Sequence, residues 1–171
     1  MAQFARPDND ISAGLWEPQG GPTSLFDSLN ETSPNDGTDY IEALNGENTT
    51  CELGLSNVTD PISNTEHIIR FRIQGTGTGG PERCKVQLFD GGSLIADTGN
   101  KTSRGTWKTI TYTLTTTEAD NINDYNNLRF KIISSNLGAS EDMWVTWAEF
   151  EVPDISVTVI FHPNHLITHS L

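Results

Sequence analysis

The clearest signal along the chain is alternation of apolar and polar residues with a period of two, the mark of strands with one face in a core. In EHIIRFRIQG, Ile69, Phe71 and Ile73 alternate with Arg70 and Arg72. RCKVQLFD repeats the pattern with Cys84, Val86 and Leu88. TWKTITYTLT sets Ile110, Tyr112 and Leu114 against threonines, and NLRFKIIS sets Leu128, Phe130 and Ile132 against Arg129 and Lys131. In DMWVTWAEFEV, strict alternation puts Trp144, Ala148, Phe150 and Val152 on one face. SAGLW, DYIEAL and TCELGL are weaker strand signals. Ile11–Trp16 reads as the first strand, with Arg6–Asp10 as a polar turn leading into it.

Between these runs lie GTGTGGPE, DGGS, TGNKTSRGT and SSNLGASED, whose residues favour turns. TSLFDSL, with Thr23 or Ser24 as N-cap, and TTEADNI, with Thr116 as N-cap before Glu118, read as short helices. About eight short strands with loops between them predict an all-β fold, an antiparallel β-sandwich or jelly roll with one or two short helices. The expected organisation is an N-terminal arm over 1–10, a sandwich over 11–154 and a C-terminal extension over 155–171. That extension, ISVTVIFHPNHLITHSL, carries its own apolar residues and is expected to dock on its own domain or on a neighbour.

Composition agrees with strands rather than helices. Of the 171 residues, 35% are hydrophobic and 19% charged, and Thr, Ser, Asn and Gly fill the difference. With 23 acidic against 10 basic residues the formal charge is −13, a surface that repels phosphate backbones, so nucleic acid is not an expected partner. MAQFARPDND lacks the apolar run of a signal peptide. No window reaches the roughly 20 apolar residues of a membrane span, so no membrane association is expected. Cys51 and Cys84 show no zinc spacing and read as buried core residues, with a disulfide open if their strands adjoin.

Signals for catalysis are weak. His67 opens a strand, and no serine stands in a nucleophile signature. His162, His165 and His169 fall at helical spacing, but Pro163 and the β-like VTVIF before it argue against a long helix. No pair of acids is singled out for glycoside hydrolysis. No enzymatic activity is expected. Trp107 and Trp144 are read as core residues, which leaves Trp16 and Trp147 as candidate exposed rings for a glycan-stacking surface. The oxygen-rich loops PDNDIS and SPNDGTDY make Asp8, Asp10, Asp36 and Asp39 candidate calcium ligands, although neither loop has the glycine and terminal glutamate of a helix–loop–helix calcium site. No cofactor is required by this reading; calcium is the one candidate.

Taken in order, RPDNDISAGLWEP, LFDSLNETSPNDGTDYIEA, LSNVTDP, HIIRFRI, TWKTITYTLTTTEADNINDYNNLRFKI and WVTWAEFEVPD resemble a recurring β-sandwich module of tailed-bacteriophage virion proteins and of proteins of environmental bacteria. The likeness runs over about residues 6 to 154 and brings no catalytic motif. Such modules resemble galactose-binding-like jelly rolls and carbohydrate-binding modules. The resemblance implies a virion structural protein, foremost a capsid decoration (cement) protein assembled in the host cytoplasm. It would act as a homo-oligomer bound to the major capsid protein or another virion protein, through Val157, Val159, Phe161 and Leu166. The alternative it implies is a glycan-binding module of a tail fibre or surface adhesin, whose partner is a host glycan.

Overall fold

The computed structural model describes residues 1–43, 48–77, 82–135, 137–138 and 141–155. Two antiparallel sheets face each other across one apolar core, as the alternating strands require. In chain order the strands are β1 (Gln3–Ala5), β2 (Pro7–Ser12), β3 (Trp16–Gln19), β4 (Tyr40–Ala43), β5 (Thr49–Leu55) and β6 (Ile68–Gly75). They continue with β7 (Arg83–Asp90), β8 (Ser93–Asp97), β9 (Lys108–Thr113), β10 (Leu128–Ser135) and β11 (Met143–Val152). One sheet runs β3-β4-β11-β6-β9, with β1 also on β11; the other runs β2-β5-β10-β7-β8. The all-β sandwich expected from the sequence is the fold observed. The strands outnumber the eight expected because several are only three to six residues long.

The long strands behave as their periodicity dictates. Ile69, Phe71 and Ile73 of β6, Val86 and Leu88 of β7, and Phe130 and Ile132 of β10 are all fully buried. β10 lies between β5 and β7, opposing Cys51 with Ile132 and Cys84 with Ser134. The two cysteines are therefore in strands that do not adjoin. Both are free and buried, and burial pushes both thiols up, as expected of packing residues rather than reactive ones.

The N-terminus departs from the expected arm. Ala5 and Pro7 are buried, β1 pairs with β11, and β2 pairs with β5, so the chain crosses from one sheet to the other at Arg6. A single Ile11–Trp16 strand is not formed either. Gly14 takes φ +60°, and a Cβ there would stand 2.2 Å from the Thr50 carbonyl oxygen, so the chain turns at Ala13–Leu15. The two short helical pieces are a 3-10 turn at Phe26–Ser28 and α1 at Thr116–Asp120. The cap of α1 is Thr115, one residue earlier than expected, in a reciprocal capping box with Glu118.

β11 runs through the middle of its sheet, and its free edge is shared. Met143–Val145 pair with β4, and Phe150–Val152 pair with β1. The gap between is closed by the segment joining β3 to β4. Ala148 donates its N–H to the Leu29 carbonyl at 3.3 Å, and Leu25 and Leu29 of that segment are buried. Asp10 holds the start of the segment by accepting from the N–H groups of Leu25 and Phe26 at 2.9 and 2.8 Å.

Candidate functional site

The site begins with a fault in β11. Val145 pairs with Ile73 and Trp147 with Arg72, so Thr146 is an extra residue, a β-bulge. Met143 and Val145 point inward on one side of it, and Ala148, Phe150 and Val152 on the other. The extra residue shifts the phase and turns Trp144 to the outer face, opposite Gln74 and Glu42. Strict alternation, which assigns Trp144 to the core, fails at this one residue. Trp107 is likewise outside the core: it precedes β9, out of step with inward Ile110, and is half-buried.

On that outer face three aromatic rings meet. The Tyr40 and Trp144 centroids are 4.7 Å apart with planes at 32°, and Trp107 lies 6.2 Å from Trp144 and 6.3 Å from Tyr40. These spacings are those of favourable tilted and edge contacts. The Trp144 indole N–H donates to Glu42 Oε1 at 2.6 Å, which fixes the ring's orientation. Around the rings lie Gln74, Glu17, Asp142 and, one row along the sheet, Arg72, whose guanidinium makes a bidentate pair with Asp36 and donates to Thr109 Oγ1 at 2.9 Å. Partial burial, then the nearby carboxylates Glu42 and Asp142, raises the Tyr40 hydroxyl. Burial also raises Glu42, helped by Asp142 and Glu17 and opposed by its bond from Trp144.

The rings expected to be exposed are in fact covered. Trp16 is 2% exposed and Trp147 is 5% exposed. Trp16 opens an edge strand opposite Ala43 and turns into the core. Trp147 does face outward beside Arg72, but the β3–β4 segment lies over it and accepts its indole N–H at the Glu31 carbonyl, 3.0 Å away. Thr146 Oγ1 is likewise tied to the Asp39 carbonyl at 2.8 Å. A strand read alone gives no sign of this cover.

The four candidate calcium ligands have separate employments. Asp10 caps the 3-10 turn, Asp36 clamps Arg72, Asp39 accepts from Asn35 Nδ2 at 2.9 Å, and Asp8 is exposed on β2. Among the described residues no three His, Cys, Asp or Glu side chains converge as a metal site. Val157, Val159, Phe161 and Leu166 lie outside the described residues, as do the three C-terminal histidines. His67 is buried with both ring nitrogens engaged, by Tyr125 Oη at 2.8 Å and the Thr65 carbonyl at 3.0 Å. Concave pockets occur at the other end of β6, such as one of about 450 Å³ lined by Asp60, Ala119, Ile122 and Tyr125. Among the described residues no helix is long and apolar enough to cross a membrane.

No protein-family profile matches the chain, and no curated protein matches it. Among solved structures the chain is similar to the xylan-binding module CBM15, with a TM-score of 0.53 and 8% identity over 91% of this chain and 99% of that one. A family 29 carbohydrate-binding module gives 0.48 and 11% over 90% and 91%. A family 61 module in complex with β-1,4-galactotriose gives 0.46 and 9% over 90% and 88%. The likeness to the xylan-binding module shows the fold, a β-sandwich of the kind found in carbohydrate-binding modules.

Proposed function

We propose that this chain is a non-catalytic glycan-binding module whose binding surface is the outer face of the six-stranded sheet, centred on Trp144. The observation that carries this reading is the trio Tyr40, Trp107 and Trp144, packed together and half-exposed on a strand face otherwise lined by polar side chains. Large aromatic rings left at the surface in one cluster, rather than singly, mark an interaction site. Flat rings offer apolar area to the C–H face of a sugar, while Gln74, Glu42 and Thr109 beside them supply donors and acceptors for hydroxyl groups. The shared fold with a xylan-binding module supports the same reading by analogy.

The virion decoration role rests on the resemblance, and its expected contact residues lie in a C-terminal segment outside the described residues; nothing in the described part supports it. Native affinity electrophoresis through gels containing xylan, galactan, β-glucan or chitosan tests the glycan reading. Retardation in at least one gel, abolished in Trp144→Ala while its melting temperature is kept, is the expected result. Free migration in every gel, or unchanged retardation in the variant, overturns it.

A further inference from the structure

The outer face holds a like-charge contact that folding alone does not explain. In the row that crosses the sheet through Trp144, Glu17 of β3 stands directly opposite Glu42 of β4, and Glu42 directly opposite Trp144. Like charges facing each other across a strand pair are destabilising. Among the described residues neither glutamate carries an ion pair, whereas Arg72, one row along the face, is already matched by Asp36. Asp142, next to Met143 at the start of β11, adds a third carboxylate to the same neighbourhood and acts on both Tyr40 and Glu42. The rings themselves present negative faces, which attract a cation and do nothing for an anion.

We propose that this surface selects glycans whose sugar units carry protonated amines, chains of the glucosamine type. The sugar face stacks on Trp144 and Trp107, and an ammonium group lies between Glu17 and Glu42, where it relieves their repulsion. Uronate-bearing chains are repelled by the same pair. This inference rests on the glycan-binding reading and adds its charge selectivity. The raised Glu42 carboxyl is consistent with it, since after burial Asp142 and Glu17 both raise it and no cation is among the groups that lower it.

Calorimetric titration of the protein at about pH 6 and low salt tests it with four β-1,4 or α-1,4 oligomers of equal length, built from glucosamine, N-acetylglucosamine, glucose and galacturonate. The glucosamine chain is expected to bind about tenfold tighter than its N-acetylated and neutral counterparts, with the advantage shrinking as salt rises, and galacturonate is expected not to bind. In Glu17→Gln/Glu42→Gln the ratio of glucosamine to neutral-chain affinity is expected to fall to about one, whatever the affinity for the neutral chains themselves. Asp120→Asn, which removes a charge from the exposed end of α1, leaves the advantage intact and separates local selectivity from the effect of net charge. Equal binding of amino and neutral chains overturns the inference, as does an advantage that survives in the double variant or is lost in Asp120→Asn. Neutral binding that appears only with added calcium assigns the glutamates to a metal and also overturns it. Binding of none of the four oligomers also overturns the inference, and only together with free migration in every polysaccharide gel does it overturn the glycan reading itself.

Discussion

Trp144 donates its indole N–H to Glu42 across the β4–β11 pair at 2.6 Å, so the central ring of the aromatic surface is oriented by a carboxylate rather than by packing alone. Glutamine at position 42 keeps an oxygen to accept that bond; leucine does not. Glu42→Gln is therefore expected to hold neutral-glycan affinity within about twofold, whereas Glu42→Leu lowers it by about fivefold, near the net worth of one hydrogen bond. Titration calorimetry, with tryptophan fluorescence anisotropy to follow the freed ring, measures both.

The extra residue in β11 makes a second, sharper prediction. With Ala148, Phe150 and Val152 held in the core, deletion of Thr146 sets Val145 beside Trp147, so Met143 and Val145 stay inward and Trp144 stays on the outer face. Thr146→Ala keeps the bulge and forfeits only the 2.8 Å bond to the Asp39 carbonyl, a loss of about 1 kcal/mol. The deletion forfeits the same bond and is expected to retain the aromatic surface. Retardation of the deletion variant in glycan gels should therefore match that of Thr146→Ala. Loss of binding in the deletion alone would show that the bulge itself shapes the surface.

Much of this fold was legible in the sequence, because β6, β7 and β10 alternate without interruption and each meets partners on both sides. The aromatic surface was not. DMWVTWAEFEV holds two sets of apolar residues out of step, Met143 and Val145 against Ala148, Phe150 and Val152, and that break was the available sign of a bulge. Trp107 could have been placed outward by counting back from Ile110. The burial of Trp147 could not be read, since its cover comes from Leu29–Glu31, far away in the chain and fixed there partly by Asp10. Tyr40, within a strand read as weak, gave no signal of its own.

At the crossover between sheets, Arg6 of the β1–β2 junction donates to Glu149 Oε2 at 2.8 Å, and Arg70 reaches the other oxygen at 3.3 Å. Glu149 is almost wholly buried, and burial raises its carboxyl in spite of both cations. Arg6→Ala leaves the carboxylate with one longer partner, and a loss of about 2–3 kcal/mol is expected, concentrated in β1. Hydrogen exchange should show the amides of Gln3–Ala5 opening first in the variant. Glu149→Gln removes the buried charge and keeps one acceptor oxygen for Arg6, while Arg70 keeps its pair with Glu151, and it is expected to cost less than Arg6→Ala.

The segment that covers Trp147 carries its own pH dependence. Glu31 is pushed up to about 7, first by burial and then by Asp39 and Asp27, against the help of a backbone hydrogen bond. Its Oε2 is out of water with no donor reaching it, so the protonated form, which donates to Asp39, is the one the fold prefers. In the unfolded chain the same group titrates at its ordinary value of 4.5. Between these values the folded protein holds a proton that the unfolded chain has released, so stability is fully present below the unfolded value and falls as pH rises through the window. Since Glu31 is only partly buried, the loss is of the order of 1 kcal/mol. Glu31→Gln keeps a neutral donor toward Asp39 and removes the titration. The melting temperature of the wild type is therefore expected to fall relative to that of Glu31→Gln as pH is raised from about 4.5 to about 7, with the two curves parallel beyond it. Glu42 and Glu149, also raised, are present in both proteins and cancel in the difference. Parallel curves across the whole range would show that Glu31 is ionised in the folded protein and that the loop over Trp147 does not depend on its proton.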